Sequence, residues 1–204
     1  MRDIQDFNSV GIRIASPDMM AKAHLDRVVE SAGSRPLSEL LAELDRLVQA
    51  SLKSEASVAH LENGLDIALC RYRASTGLLE FAGAGLPLYV WTKGALVETL
   101  GDRAHLGFSG SRRERFWSDH SIPVSKGARI FLVSDGVLDL PGGEAGLPFG
   151  RARLRGLLER IAPLPLAEGG VEAAAALDAY NGSLSQRDDL TFVGLGIDTK
   201  GKEE

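Results

Sequence analysis

The sequence predicts an α+β fold built on an antiparallel sheet, and three features indicate it. Two amphipathic helical segments lie within residues 16–48, segments with the period of two typical of strands follow from Gly64, and two further helical segments precede a last apolar strand. Helices and strands that occur in separate runs favour an α+β arrangement over the regular alternation of parallel α/β folds.

A helical hairpin is predicted at the start of this order. Ser16-Pro17-Asp18 supplies an N-cap, a proline at the first helical position and an acid in the first turn, so a helix is expected to run to about Ser31. A second helix is predicted from Pro36, because leucines recur at positions 37, 40, 41, 44 and 47.

The strands are predicted from alternating or short apolar runs bounded by turn residues. They are Leu65–Tyr72, Leu78–Gly83, Leu88–Thr92, Leu96–Thr99, Phe116–Ile122, Ile130–Ser134 and Leu190–Ile197, with helices at Arg151–Ile161 and Val171–Tyr180. No repeat or linker divides this series, so one domain is expected over residues 1–198, followed by a charged tail at residues 199–204.

Composition excludes several classes of protein. The chain has 204 residues, 44% hydrophobic and 25% charged, with 23 Lys and Arg against 28 Asp and Glu and a net charge of −5. An acidic chain is a poor candidate for binding nucleic acid, which requires a basic surface. The single cysteine, Cys70, excludes an internal disulfide and a cysteine zinc cluster, and its place in an alternating run favours a packed thiol.

Targeting signals are not evident in the sequence. No apolar run approaches the length of a transmembrane helix, and the N-terminal residues MRDIQDFN lack the apolar core of a signal peptide. A cytoplasmic protein without a membrane partner is therefore expected.

A carboxylate follows directly on one buried strand. The apolar run that starts at Ile130 continues into Ser134-Asp135-Gly136. Such a sequence forms a turn when the aspartate binds a nearby amide and the glycine takes a positive φ. It also places a carboxylate on a rigid strand end, where a divalent cation could bind it.

A pair of acids precedes the last strand. Asp188 and Asp189 are adjacent, and they repel each other unless a cation or Arg187 lies between them. If this strand and the one that leads to Asp135 are antiparallel neighbours, Asp135 and Asp188 would lie side by side. Carboxylate oxygens suit Mg²⁺ or Mn²⁺ rather than zinc.

From Gly64 onward the chain resembles the metal-dependent PPM-type (protein phosphatase type 2C-like) serine/threonine phosphatases, in the bacterial branch similar to stage II sporulation protein E. The segments that carry the resemblance are LEFAGAGLPLYVW (79–91), GDRAHLG (101–107), DHSIPVSKGARIFLVSDGVLD (119–139), FGRARLRGLL (149–158) and QRDDLTFVGLGI (186–197). They cover about two thirds of the chain together. The resemblance implies an antiparallel β-sandwich flanked by helices and hydrolysis by metal-activated water.

The resemblance also implies roles for individual acids. Asp135 and Asp188 would be metal ligands, and Asp189 a partner of that site. The family has a further aspartate that bridges two metals, in a Gly-Asp-x-Ser/Thr-Gly-His-Gly turn. An ungapped count places Asp6 on this position, although Ser9-Val10 replaces Gly-His. Asp6 is therefore either the bridging ligand or an ordinary terminal acid, and two ions are expected if it completes the site.

Relative to the family, the chain lacks the strands and an acidic residue that precede this turn. We expect an N-terminally incomplete fold, and a sheet left uncovered in this way would favour a homodimer or a protein partner.

The leading functional hypothesis is a protein phosphatase whose substrate is a phosphorylated bacterial regulatory protein of the anti-sigma-factor antagonist type, as the resemblance implies. One alternative is a degenerate phosphatase-like domain that binds a regulatory partner without turnover. Another is a plain α+β interaction domain whose acids form turns.

Two other groups of residues rank below these acids as functional candidates. The cluster Ser111-Arg112-Arg113-Glu114-Arg115 is either a solvated loop or a loop that docks a phosphopeptide, since arginine pairs bidentately with phosphate. The histidines at positions 24, 60, 105 and 120 lack metal-ligand spacing and are expected to be surface or packed residues.

Overall fold

Five helices and eleven strands make up the described part of the chain, which the computed structural model gives as residues 2–4, 10–14, 19–54, 65–107, 115–186 and 188–197. In chain order they are β1 (Arg2–Ile4), β2 (Val10–Ile14), α1 (Met19–Glu30), α2 (Leu37–Ser54), β3 (Ile67–Arg73), β4 (Leu78–Ala84), β5 (Leu88–Thr92), β6 (Ala95–Thr99), β7 (His120–Pro123), β8 (Arg129–Val133), α3 (Asp135–Leu138), β9 (Pro141–Gly142), β10 (Leu147–Pro148), α4 (Gly150–Ile161), α5 (Leu166–Asn181) and β11 (Phe192–Ile197).

The predicted helices and most predicted strands are present, with ends that differ by a few residues. The predicted strand Phe116–Ile122 is wrong over its first half, because only His120–Pro123 pairs in a sheet. Side-chain hydrogen bonds hold the preceding residues in a loop instead. The indole nitrogen of Trp117 donates to the Ala104 carbonyl at 2.8 Å, and the Ser118 amide donates to the Asp102 carboxylate at 2.7 Å.

The chain divides into two compact units, one of residues 1–7, 88–98 and 124–204 and the other of residues 8–87 and 99–123. The single domain over residues 1–198 stays a prediction, and the tail at residues 199–204 lies outside the described residues. No helix in the described ranges combines the length and the apolar composition that a bilayer span requires.

The first unit contains a five-stranded sheet in the order β1-β11-β8-β5-β6. Strand β8 is antiparallel to both β11 and β5, whereas β1 runs parallel to β11. Helices α4 and α5 supply apolar side chains to one core with this sheet, among them Leu154, Leu158 and Leu177 against Phe131 and Val133.

The second unit contains an antiparallel sheet in the order β2-β3-β4-β7. Helix α2 buries one stripe of leucines, which includes Leu37, Leu41 and Leu44, in a core with Ile67 and Leu69 of β3. These leucines are among those whose helical spacing in the sequence predicted this helix. The α+β class with antiparallel sheets is confirmed.

The start of helix α2 is capped from a distant part of the chain. The Ser38 amide donates to one carboxylate oxygen of Asp119 at 3.0 Å, across 81 residues of sequence, and the Ser38 hydroxyl contacts the other oxygen. A carboxylate at a helix N-terminus satisfies free amides and interacts favourably with the helix dipole.

A buried arginine joins the helical hairpin to the sheet in this unit. The guanidinium of Arg71 donates to the carbonyls of Gly33 and Arg35 at 3.0 and 2.8 Å and pairs with Glu80 on β4. Arg73 pairs with the other oxygen of Glu80 at 2.8 Å. Burial raises the pKa of Glu80, but hydrogen bonds and charges from Arg73 and Arg71 outweigh it, so the pKa lies below its ordinary value.

Replacing Arg71 should cost far more stability than replacing Arg73. The Arg71 side chain is 5% exposed, and Arg71→Ala leaves two carbonyls without their donor, so we expect the free energy of unfolding to fall by about 3 kcal/mol. The Arg73 side chain is 28% exposed and pairs with the same carboxylate, so Arg73→Ala should cost less than about 1 kcal/mol. Urea denaturation measures both, and equal losses would contradict the assigned role.

Candidate metal centre

Asp135 lies where the central strand of the first unit ends. Strand β8 ends at Val133, and Asp135 begins the short helix α3 with an exposed side chain. One of its carboxylate oxygens accepts a hydrogen bond from the Gly136 amide at 2.9 Å. This bond reaches the next residue, whereas the side chain of an aspartate turn binds the amide two residues on, so Asp135 begins a helix rather than a turn of that kind.

Asp188 lies just before strand β11, in a short segment held by its own hydrogen bonds. Its carboxylate accepts from the Asp189 amide at 2.7 Å, and its carbonyl accepts from the Gln186 side chain at 2.6 Å. Asp188 and Asp189 are both exposed. Arg187, considered above as a screening charge, lies outside the described residues.

The two segments meet because β8 and β11 are antiparallel neighbours, as expected from the sequence. Phe192 is opposite Val133, and the Ser134 amide continues the ladder by donating to the Thr191 carbonyl at 3.0 Å. The Ser134 hydroxyl then donates to the Asp189 carbonyl and accepts from the Thr191 amide, each at 3.0 Å. We call this set of three hydrogen bonds the Ser134 clamp.

Gly136 allows the segment of Asp188 to approach the start of α3. A Cβ atom at Gly136 would lie 2.5 Å from the Asp189 carbonyl oxygen and 3.4 Å from the Asp188 Cβ. The backbone between Asp135 and Val137 therefore contacts the backbone of the acidic pair. The turn in which Gly136 would take a positive φ is wrong, because Gly136 lies in α3 with an ordinary helical backbone and is required instead for this close approach.

The donor set fits a hard divalent cation. Asp135 and Asp188 bring exposed carboxylate oxygens to adjacent strand ends, which is the chemistry that Mg²⁺ and Mn²⁺ prefer. Among the described residues, no group of three or more His, Cys, Asp or Glu side chains is arranged to hold a metal ion. Asp6, the expected third ligand, lies outside the described residues, so the three metal assignments stay predictions.

The other chemically interesting side chains have structural roles. Cys70 is buried at 4% exposure, and burial raises the pKa of its thiol to about 12, which agrees with a packed thiol. His105 pairs with Asp66, and the His24 ring contacts the Ser51 hydroxyl at 2.8 Å.

The basic cluster is described only at Arg115, because residues 111–114 lie outside the described ranges. Arg115 binds the Asp45 carboxylate at 2.8 Å and the His105 carbonyl at 3.1 Å, with its side chain 11% exposed. Arg115 is therefore neither a solvated loop residue nor free to bind a phosphopeptide.

Comparison with known families assigns the chain to a class of proteins. The sequence model of the family "Stage II sporulation protein E (SpoIIE)" matches residues 11–198. The chain belongs to this family of PP2C-like phosphatases, as its motifs predicted.

Solved structures agree with this assignment. The SiaA-PP2C domain of Pseudomonas aeruginosa is 30% identical with a TM-score of 0.75, over 88% of this chain and 67% of that chain. The PP2C domain of SpoIIE from Bacillus subtilis, solved with a fragment of its regulatory domain, is 14% identical with a TM-score of 0.63, over 87% of this chain and 49% of that chain.

The catalytic domain of the serine/threonine phosphatase PstP, solved in complex with two manganese ions, is 16% identical with a TM-score of 0.60, over 88% of this chain and 80% of that chain. At identities this low, PstP and SpoIIE support the fold. A comparison with curated proteins finds no match.

Gly136→Ala should disturb the candidate site, whereas Gly156→Ala should not. The new methyl group at position 136 would overlap a backbone oxygen and displace the acidic pair, so we expect a loss of about 1–3 kcal/mol in urea denaturation. At Gly156 in α4 no atom lies within 4 Å, and alanine should stabilise the helix by up to about 1 kcal/mol. An unchanged stability of Gly136→Ala would refute the close approach.

Proposed function

We propose that this chain is a metal-dependent protein phosphatase that hydrolyses phosphoserine or phosphothreonine. The observation that carries the proposal is the placement of Asp135 and Asp188 at adjacent ends of two antiparallel strands, next to the Ser134 clamp. Membership of a PP2C-like family supports the same activity.

Asp135 and Asp188 would hold a divalent cation, Mn²⁺ or Mg²⁺, and Asp6 would complete a site for two ions. When bound, such ions supply an activated water and offset the charge of the phosphate. Asp189 would stay outside the ligand set, as the family resemblance implies, and its backbone would hold the segment through its carbonyl, bound by the Ser134 hydroxyl, and its amide, bound by the Asp188 carboxylate.

The side chains near the site act by holding ligands in place rather than by attacking the substrate. Ser134 is 2% exposed, and its hydroxyl is occupied by two backbone groups, so it is not a nucleophile. Hydrolysis in this chain would thus proceed without a covalent enzyme intermediate.

The charge of the site gives a reason for a cation. Asp135, Asp188 and Asp189 are exposed carboxylates, and their combined negative charge would repel a phosphate dianion. With a cation held by Asp135 and Asp188, this repulsion would be offset and phosphate binding would become favourable. A phosphorylated regulatory protein of the anti-sigma-factor antagonist type is the substrate we propose, on the basis of the family resemblance.

A second function is favoured by the altered N-terminal turn. Ser9-Val10 stands where the resemblance expects Gly-His. A chain that binds one cation and its phosphoprotein partner without turnover would satisfy this observation.

Metal binding should stabilise the protein through Asp135. A cation at about 100 times its Kd adds about 2.7 kcal/mol to the native state, which corresponds to a rise in Tm of roughly 5–10 °C for a chain of this size. We expect this rise with Mn²⁺ in the wild type and not in Asp135→Asn.

Glu144→Gln is the matched control, since Glu144 is an exposed acid of the same unit outside both acidic segments and the charge change is identical. Calorimetric melting with and without Mn²⁺ measures all three proteins. A shift that Asp135→Asn retains would place the metal elsewhere.

Turnover tests the role of Asp6. If Asp6 bridges two ions, the protein should hydrolyse an aryl phosphate only with Mn²⁺, and Asp6→Ala, Asp135→Ala and Asp188→Ala should each reduce the rate to background. Double variants should lose little more than single ones, because ligands of one site act as a unit.

Hydrolysis that survives Asp6→Ala but not Asp135→Ala would show that another group completes the site. Metal binding without any hydrolysis in the wild type would favour the degenerate domain.

A further inference from the structure

A cavity of 750 Å³ lies along helix α5 in the first unit. One side is formed by α5 between Leu166 and Asp178, and the other by Val137, Leu190 and Phe192. We call this feature the α5 groove.

Helix α5 is apolar on its exposed side as well as on its buried side. Ala173 and Leu177 pack into the core of the unit, as expected for a surface helix. Val171, however, is 72% exposed, and Ala167 and Ala174 beside it are also exposed. A helix that is apolar around most of its circumference is normally covered, and exposed apolar patches mark contact sites.

The shape of the α5 groove suits another helix. Its lining residues on α5 run from Leu166 to Asp178, twelve residue steps apart, which corresponds to about 18 Å along the helix axis. The small residues Ala167, Gly170 and Ala174 allow a close approach. A compact ligand would need several converging polar groups, but Asp178 is the one charged residue in the lining. An amphipathic helix, which presents apolar side chains at helical spacing along an elongated face, fits the groove better than a compact ligand does.

The charge of α5 determines which helix fits. The sequence LAEGGVEAAAALDAYN carries three acids and no basic residue. Glu168 and Asp178 are exposed, and in the described part of the chain neither forms an ion pair; Glu172 pairs with Arg160. A second copy of the chain would bring the same acids together, and like charges across an interface are costly. A basic partner would not incur that cost.

We infer that the α5 groove binds an amphipathic helix of a partner protein, with an apolar face for the groove and Lys or Arg on its flanks. This docking surface does not depend on the catalytic proposal, because none of its lining residues is a candidate metal ligand. Through this groove the chain could recognise a partner protein by a helix, independently of any phosphorylated side chain that the partner carries.

The probe for this surface is a fluorescein-labelled helical peptide built from leucine on one face and lysine on the other. A matched peptide carries glutamate in place of lysine. Fluorescence anisotropy with the full chain should show binding of the lysine peptide at least about tenfold tighter than that of the glutamate peptide. Added salt should weaken the binding of the lysine peptide, since salt screens interactions between exposed charges.

Neighbouring positions on α5 provide the structural control. Ala174 lines the groove, whereas Ala175 is exposed and does not line it. Ala174→Trp should fill the groove and weaken peptide binding by about tenfold or more, and Ala175→Trp should leave binding unchanged. Circular dichroism verifies folding, and Val171→Arg replaces Ala174→Trp if that variant does not fold.

Charge reversal provides a second control. Asp178→Lys should weaken binding of the lysine peptide, and Glu144→Lys, at an exposed residue outside the groove with the same change in net charge, should weaken it less.

In the anisotropy measurements, any of three results would overturn the inference: equal affinity for both peptides, equal effects of Ala174→Trp and Ala175→Trp on peptide affinity, or equal effects of the two charge reversals on peptide affinity. A dimer in sedimentation equilibrium that Ala174→Trp dissociates would also overturn it, because a second copy would then occupy the groove.

Discussion

The Ser134 clamp is the constraint on which the candidate site depends. The regular ladder between β8 and β11 includes the pair of Val133 and Phe192. Beyond it, a serine hydroxyl that both donates and accepts joins the end of one strand to the segment before the other. Because a buried side chain forms these bonds, the acids on either side can be exposed to solvent and still be held in place.

This arrangement separates the candidate metal ligands from the residues that fix their geometry. Ser134 and Gly136 are buried and make the contacts between the two segments, whereas Asp135 and Asp188 are exposed and are held mainly by bonds to their immediate neighbours. Substituting an exposed acid would remove a ligand with little effect on the fold. Substituting a buried neighbour would move both acids at once.

Much of the fold could be predicted because its long elements carry periodic patterns. The leucine stripe of α2 and the apolar run of β8 were identified from spacing alone. Strands of two or three residues, such as β1, β9 and β10, are too short to show a period, so their pairing depends on distant partners. The loop at Trp117 was predicted as strand, and aromatic residues such as Phe116 and Trp117 do favour strands, but tertiary hydrogen bonds to Ala104 and Asp102 override that local preference.

Part of the candidate site was also predictable, because local sequence patterns mark some of its residues and not others. Asp135 and Asp188 could be found because each adjoins an apolar strand, and their proximity needed only that the strands be antiparallel neighbours. The clamp and the contact at Gly136 could not be found, because hydrogen bonds and close approaches between residues 50 or more positions apart leave no local signal. Arg115 is a further example, since its partner Asp45 lies on α2.

The cap that Asp119 places on α2 has a consequence for how the second unit folds. The carboxylate lies just before β7, 81 residues from the amide that it binds, so the first turn of α2 is completed only after a late segment of the chain has been added to the sheet. Such contacts of long sequence separation slow the search for the native state. During synthesis the helical hairpin would therefore wait, partly frayed at this end, until the ribosome has released β7.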